Sequence, residues 1–187
     1  MEHVSLDEQL RILSECGVRL IPGVTLDDLF VHGERSDFEA NPFEFLLGAM
    51  GSECGPAFSK QGSNDVWAFD DECIEGDGSY VEIARCIAGL APDALPLEEV
   101  RDSVDHDTGE AWLEFRLGEE QHRWEFPVED DFVDVQVFYR FDELLARRDL
   151  RLIMYKELIL VGTSQKLALL QEHTGLSLRW LTQPLTS

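Results

Sequence analysis

The sequence predicts an α+β fold, an antiparallel sheet with helices packed against it, in a single domain of 187 residues. Three observations predict it. Apolar residues recur at helical spacing in several separate windows. In the middle of the chain they alternate with polar ones instead. The two patterns follow each other without a regular strand–helix rotation, which would have pointed to a parallel sheet. An N-terminal helical subregion over residues 1–64, bounded somewhere in 51–64, is the other partition that the pattern allows.

Residues 5–16 are expected as a helix: Ser5 and Glu8 form an S-x-x-E capping box, Leu6, Leu10 and Leu13 share a face, and Gly17 ends it. A short apolar run (18–21) follows, and Thr25 caps a piece carrying Leu26, Leu29 and Phe30. Residues 32–40 read as a polar loop. Asn41 as cap and Pro42 in the first turn restart a helix over 43–50. Residues 51–64 hold Gly, Ser and Pro without periodicity and read as a long loop, and 66–69 as a short strand.

Ser79 and Glu82 form a second capping box ahead of the best amphipathic helix, with Tyr80, Ile83, Ala84, Ile87, Ala88 and Ala91 on one face. Residues 96–103 are expected as one or two more helical turns. Alternation over 111–117 and again over 122–128 predicts a hairpin turning through 118–121. Phe138, Phe141, Leu144 and Leu145 mark a helix over 135–148. Strands at 150–155 and 158–161, a helix at 164–173 closed by Gly175, and a strand at 176–181 complete the chain.

Charge bounds what the surface can meet. Lys and Arg number 15 against 38 Asp and Glu, a formal charge of −23. That field repels nucleic acid and anionic membrane and attracts basic proteins and divalent cations. With 44% hydrophobic and 10% aromatic residues the chain still has the means to build a core. The acidity lies in residues 1–150. The last 37 residues carry 2 acids against 4 bases and read as core. No export signal or membrane-spanning run is read, so a cytoplasmic protein with reduced thiols is expected. Arg outnumbers Lys twelve to three, which suggests a GC-rich bacterial source.

Each motif has an ordinary reading beside its chemical one. Gly76-Asp77-Gly78 before a helix imitates the start of a dinucleotide fingerprint, but Val81 holds the third glycine position and Glu75, Asp77 and Asp70–Glu72 would face a pyrophosphate with like charge. It is read as a turn feeding the Ser79 cap. Cys73 sits among carboxylates that raise a thiol's pKa, which argues against a nucleophile. Cys16, Cys54, Cys73 and Cys86 have no C-x-x-C pair, and His3, His32, His106, His122 and His173 lack ligand spacing with them, so no zinc site is expected. Asp102, Asp105, Asp107 and Gly109 resemble a calcium loop but lack its order and its distal Glu; Asp107-Thr108-Gly109 is read as a tight turn.

Two acidic stretches remain. The first is Asp65, Asp70, Asp71, Glu72, Glu75 and Asp77; the second is Glu125, Glu129, Asp130, Asp131 and Asp134. Dense carboxylates can hold Mg²⁺ or Ca²⁺, mimic a phosphate backbone, dock a basic groove, or simply form a solvated edge. Trp112, Trp124 and Trp180 fall in expected strands, where packing explains them. Trp67, beside the first stretch, is the expected interface anchor.

The segments Pro42–Gly48, Trp67–Glu75, Gly78–Val81, Glu129–Asp134 and Thr174–Leu181 resemble a family of soluble acidic bacterial proteins with no assigned activity. The likeness runs from about residue 40 onward. Phe132 stands where relatives have Trp after the paired Asp, which keeps an apolar anchor in place. The resemblance implies a bacterial, soluble, single-domain protein and carries no activity with it.

The leading expectation is a non-enzymatic acidic binding module, like an immunity protein or antitoxin, that occupies a basic site on a partner protein. Its contacts would be Trp67, Asp70, Asp71, Glu72, Glu75, Asp77, Asp130, Asp131 and Asp134, with no catalytic residue, cofactor or metal. The alternatives are a divalent-metal enzyme using an acidic loop, and a structural or oligomeric protein.

Overall fold

The computed structural model describes residues 4–181. In chain order they form α1 (Leu6–Glu15), α2 (Leu26–Leu29), α3 (Arg35–Ala40), α4 (Glu44–Gly51), β1 (Glu53–Cys54), β2 (Lys60–Gln61) and β3 (Val66–Ala68). Then come α5 (Ser79–Leu90), β4 (Leu97–Asp105), β5 (Glu110–Leu117), β6 (Glu120–Pro127) and α6 (Gln136–Ala146). The chain closes with β7 (Arg151–Tyr155), β8 (Leu158–Gly162), α7 (Ser164–Thr174) and β9 (Arg179–Trp180). All pairings are antiparallel, so the class is α+β, as the sequence predicts. The chain divides into two units, residues 1–69 with 151–187 and residues 70–150, and the segment 51–64 lies inside the first.

In the first unit a four-stranded sheet has the order β3-β8-β7-β9. Every residue of β8 is buried, as an apolar run in an inner strand requires. Tyr155 pairs with Leu158 across a two-residue turn, and Val66 pairs with Leu160. Helix α4 packs on β3 and β8, and α1 against α3 and α7. Gly51 permits the α4–β3 contact, since a Cβ there would lie 2.6 Å from the Ala68 amide nitrogen. Leu6, Leu13, Leu46, Leu47, Met50, Val66 and Leu160 form the centre of this core.

Several local expectations are corrected here. Residues 35–40 are helical rather than looped, because Phe38 needs burial and Asp37 accepts a bond from the Glu34 amide at 2.7 Å. Helix α4 is not capped by Asn41: its cap is Phe43, at φ +67°, whose amide donates to buried Gln9 at 2.9 Å. The long loop contains a small hairpin, β1 with β2, that turns at Gly55, φ +75°. The closing strand keeps only two residues. Helices α1 and α7 hold: Ser5 Oγ accepts from the Glu8 amide, and Gly175 at φ +69° ends α7.

In the second unit β4, β5 and β6 form a meander. Residues 97–105 are a strand, not helical turns. Pro96 precedes the strand, a bulge shifts its register between Glu98 and Arg101, and Leu97, Val100 and Asp102–Val104 are half-buried. The expected hairpin forms, with Phe115 opposite His122 and Leu117 opposite Glu120, so its turn is only Gly118-Glu119 rather than 118–121, and Gly118 takes φ +62° there. Ala111, Leu113, Phe115 and Phe126 face inward; Glu114 faces out, bound by Arg101 and Arg123. Helix α5 packs on β4 and β5, and Tyr80 stacks on Phe126 with ring centroids 4.6 Å apart. Phe141 of α6 meets Phe115 and Trp124 at 5.7 and 4.9 Å.

Candidate functional site

The two acidic stretches that the sequence separates become neighbours in the second unit. The Ile74 amide donates to the Asp131 carbonyl at 2.8 Å, and the Val133 amide to the Asp71 carbonyl at 2.9 Å. Glu72 and Phe132 sit opposite each other as an antiparallel bridge. Ile74 and Val133 are buried in the core, while Glu72 and Phe132 are exposed. Residues 129–132 make a tight turn with Asp130 at φ +58°, a conformation that Asp tolerates better than most residues. Phe132 is 46% exposed and Val135 51%.

The acids of this edge have two kinds of work. Asp70 accepts from the Glu72 amide at 3.0 Å, Asp77 from the Val104 amide at 2.7 Å, and Asp134 from the Gln136 amide at 2.9 Å. These oxygens shape loops. By contrast Asp71, Glu72, Glu75, Glu129, Asp130 and Asp131 accept no side-chain hydrogen bond and pair with no base among the described residues. Asp65 and Trp67 belong to the first unit: Asp65 accepts from the Arg19 amide at 2.9 Å, and half-buried Trp67 lies in β3 against Phe69. Among the described residues no three His, Cys, Asp or Glu side chains are grouped to hold a metal ion.

The glycine turn before α5 is already occupied by the protein's own anion. One Asp102 oxygen accepts from the Gly78 amide at 2.7 Å and the other from the Val81 amide at 3.0 Å, where a pyrophosphate would have to lie. The expected Ser79 cap is replaced: Gly78, at φ +101°, is the cap position, and Ser79 Oγ accepts from the Glu75 and Gly76 amides instead. Asp105 accepts from the Asp107 and Thr108 amides at 2.9 and 3.1 Å, so residues 105–109 are a turn as expected.

Burial, and then Asp70 and Asp71, push the Cys73 thiol up to about 11; burial and Glu82 push Cys86 up to about 12. All four cysteines are free, and Cys16 and Cys54 are buried. His3 lies outside the described residues.

The first unit holds a feature that no sequence motif announces, a cavity of about 400 Å³. Phe45, Ala49, Ala68 and Leu158 supply its apolar lining, and His32, Glu44, Ser52, Tyr155, Lys156 and Glu157 its polar one. Glu44 accepts from Lys156 Nζ and from Tyr155 Oη at 2.6 Å, and Lys156, then Tyr155, holds its carboxyl below the ordinary range. His32 Nε2 faces the Glu53 carbonyl at 2.9 Å. Only pairing of residues more than a hundred positions apart assembles this set. The one local signal is Gly48 inside a helix window, where a Cβ would meet nothing within 4 Å.

No helix among the described residues is long and apolar enough to cross a membrane. No family model, no curated protein and no solved structure matches the chain.

Proposed function

We propose that the protein is a non-enzymatic binding module whose second unit seats an acidic edge in the basic site of a partner protein, in the manner of an immunity protein or antitoxin. One observation carries the reading: Asp71, Glu72, Glu75, Glu129, Asp130 and Asp131, with no basic partner among the described residues, lie on the same two loops as the exposed Phe132, and those loops are fixed to each other by backbone hydrogen bonds. A charged rim around a desolvated aromatic is the arrangement that concentrates binding energy, and the charge itself speeds encounter. The second unit carries 24 acids against 7 bases, or −17 of the −23.

The test is a low-salt capture with the wild-type chain and with Phe132→Ala, followed by association kinetics against the basic protein recovered. Phe132→Ala is expected to cost about 2 kcal/mol of affinity, roughly thirtyfold, chiefly in dissociation rate. Asp71→Asn with Asp131→Asn is expected to slow association and to flatten its salt dependence. Co-expression with a toxic basic protein encoded beside the gene is expected to restore growth. Binding indifferent to all three substitutions, together with no rescue, would sink the proposal.

A further inference from the structure

The cavity of the first unit takes no part in the edge described above, and its lining is unbalanced in one direction. Glu44 spends two acceptor sites on Tyr155 and Lys156 and keeps others, since a carboxylate offers about four. The Glu157 carboxylate accepts no hydrogen bond among the described residues. His32 Nε2 faces a carbonyl and must donate, which leaves Nδ1 an acceptor in the neutral ring. Lys156, the one Lys or Arg of the lining among the described residues, is already committed to Glu44. Free acceptors and net negative charge call for a donor-rich cation, and Phe45, Ala49, Ala68 and Leu158 offer it an apolar bed.

We propose that this cavity binds a small organic cation, a protonated amine carried on an aromatic or aliphatic body, with Glu44 and Glu157 taking the ammonium and the Phe45–Leu158 side taking the body. A volume of about 400 Å³ is within the range of small-molecule sites. Phe58 is 52% exposed and sets its ring edge-on to His32 at 5.9 Å. The loop that carries it is fastened to α2 by the Gly55 amide on the Asp28 carbonyl and by Lys60 on the Asp28 carboxylate at 2.7 Å.

The experiment titrates isotope-labelled protein, at moderate salt, with phenethylamine, phenylpropionate and phenethyl alcohol, and follows backbone amide resonances. Phenethylamine alone is expected to shift Gly48, Ala49 and Ser52 saturably. Glu44→Gln is expected to weaken it about tenfold or more, as loss of a charged acceptor does. Gly48→Leu, which fills the cavity from a position with open space before it, is expected to abolish binding, and it carries the test alone if Glu44→Gln does not fold. Glu129→Gln removes the same charge from the other unit and is expected to leave affinity unchanged. The proposal is overturned if those amides do not saturate, if the anion or alcohol binds as tightly, or if Glu129→Gln weakens binding as much as Glu44→Gln.

Discussion

Asp102 shows how one carboxylate can hold a helix whose own cap sequence is not used. Its two oxygens satisfy the Gly78 and Val81 amides at the start of α5. Asp102→Ala is therefore expected to lower stability by about 1–2 kcal/mol, and Asp102→Asn by less, in urea unfolding. Gln9 is a second such residue: fully buried, it donates to the Val4 and Phe38 carbonyls and accepts from the Phe43 amide. Gln9→Ala strands three backbone groups and is expected to cost about 2–3 kcal/mol. Neither partner set was legible in the sequence, because all of these bonds except that of Gln9 to Val4 act across 21 to 34 residues and leave no local pattern. The cysteines were legible in direction. The carboxylates around Cys73 raise its pKa as expected, but burial raises it more. Alkylation of Cys73 and Cys86 at pH 8 is expected to run well below the rate of a free thiol. Asp28 has a pH signature. Lys60 and then Thr25 hold it at about 2, below the ordinary value of about 4. The unfolded chain thus takes up this proton first as pH falls. The stability from the pair is complete above about pH 4 and is lost on the way down to about 2. Asp28→Asn should flatten the urea midpoint across that window.

At the scale of elements, strong periodicity decided what could be read. The alternation of Ala111, Leu113 and Phe115 against Trp112 and Glu114, and the Phe138–Leu145 face of α6, survive unchanged in the structure. Residues 35–40 and 97–105 did not, since each has little apolar content of its own and takes its state from what it packs against: Phe38 in a helical turn, β4 along β5. The two acidic loops were visible separately, and their pairing was not, because a bridge of Glu72 to Phe132 spans sixty residues of intervening structure. Helix α4 gives a paired prediction. Gly48 faces open space without a positive φ, so Gly48→Ala should stabilise by up to about 1 kcal/mol through helix propensity. Gly51→Ala, three residues on, drives a methyl to 2.6 Å from the Ala68 amide nitrogen and should destabilise. Melting temperatures of the two variants should move in opposite directions.

For the whole molecule, the −23 charge makes the folded state work against itself, and the burden falls unevenly because the second unit carries most of it. Raising salt from low to moderate should therefore raise the denaturation midpoint, as screening removes most of the repulsion between exposed charges more than about 10 Å apart. A steady fall would contradict this. The division of the chain also sets an order of events during synthesis. Residues 70–150 are continuous and can reach their final state as soon as they leave the ribosome, whereas β3 has no neighbour until β8 is made some ninety residues later. A nascent first unit is thus an unfinished sheet with Val66–Ala68 waiting at its edge, and each second of delay exposes Leu46, Leu47 and Met50 to other chains. Chains ending at residue 157 and released from the ribosome should have residues 70–150 that resist protease while residues 4–69 are cut.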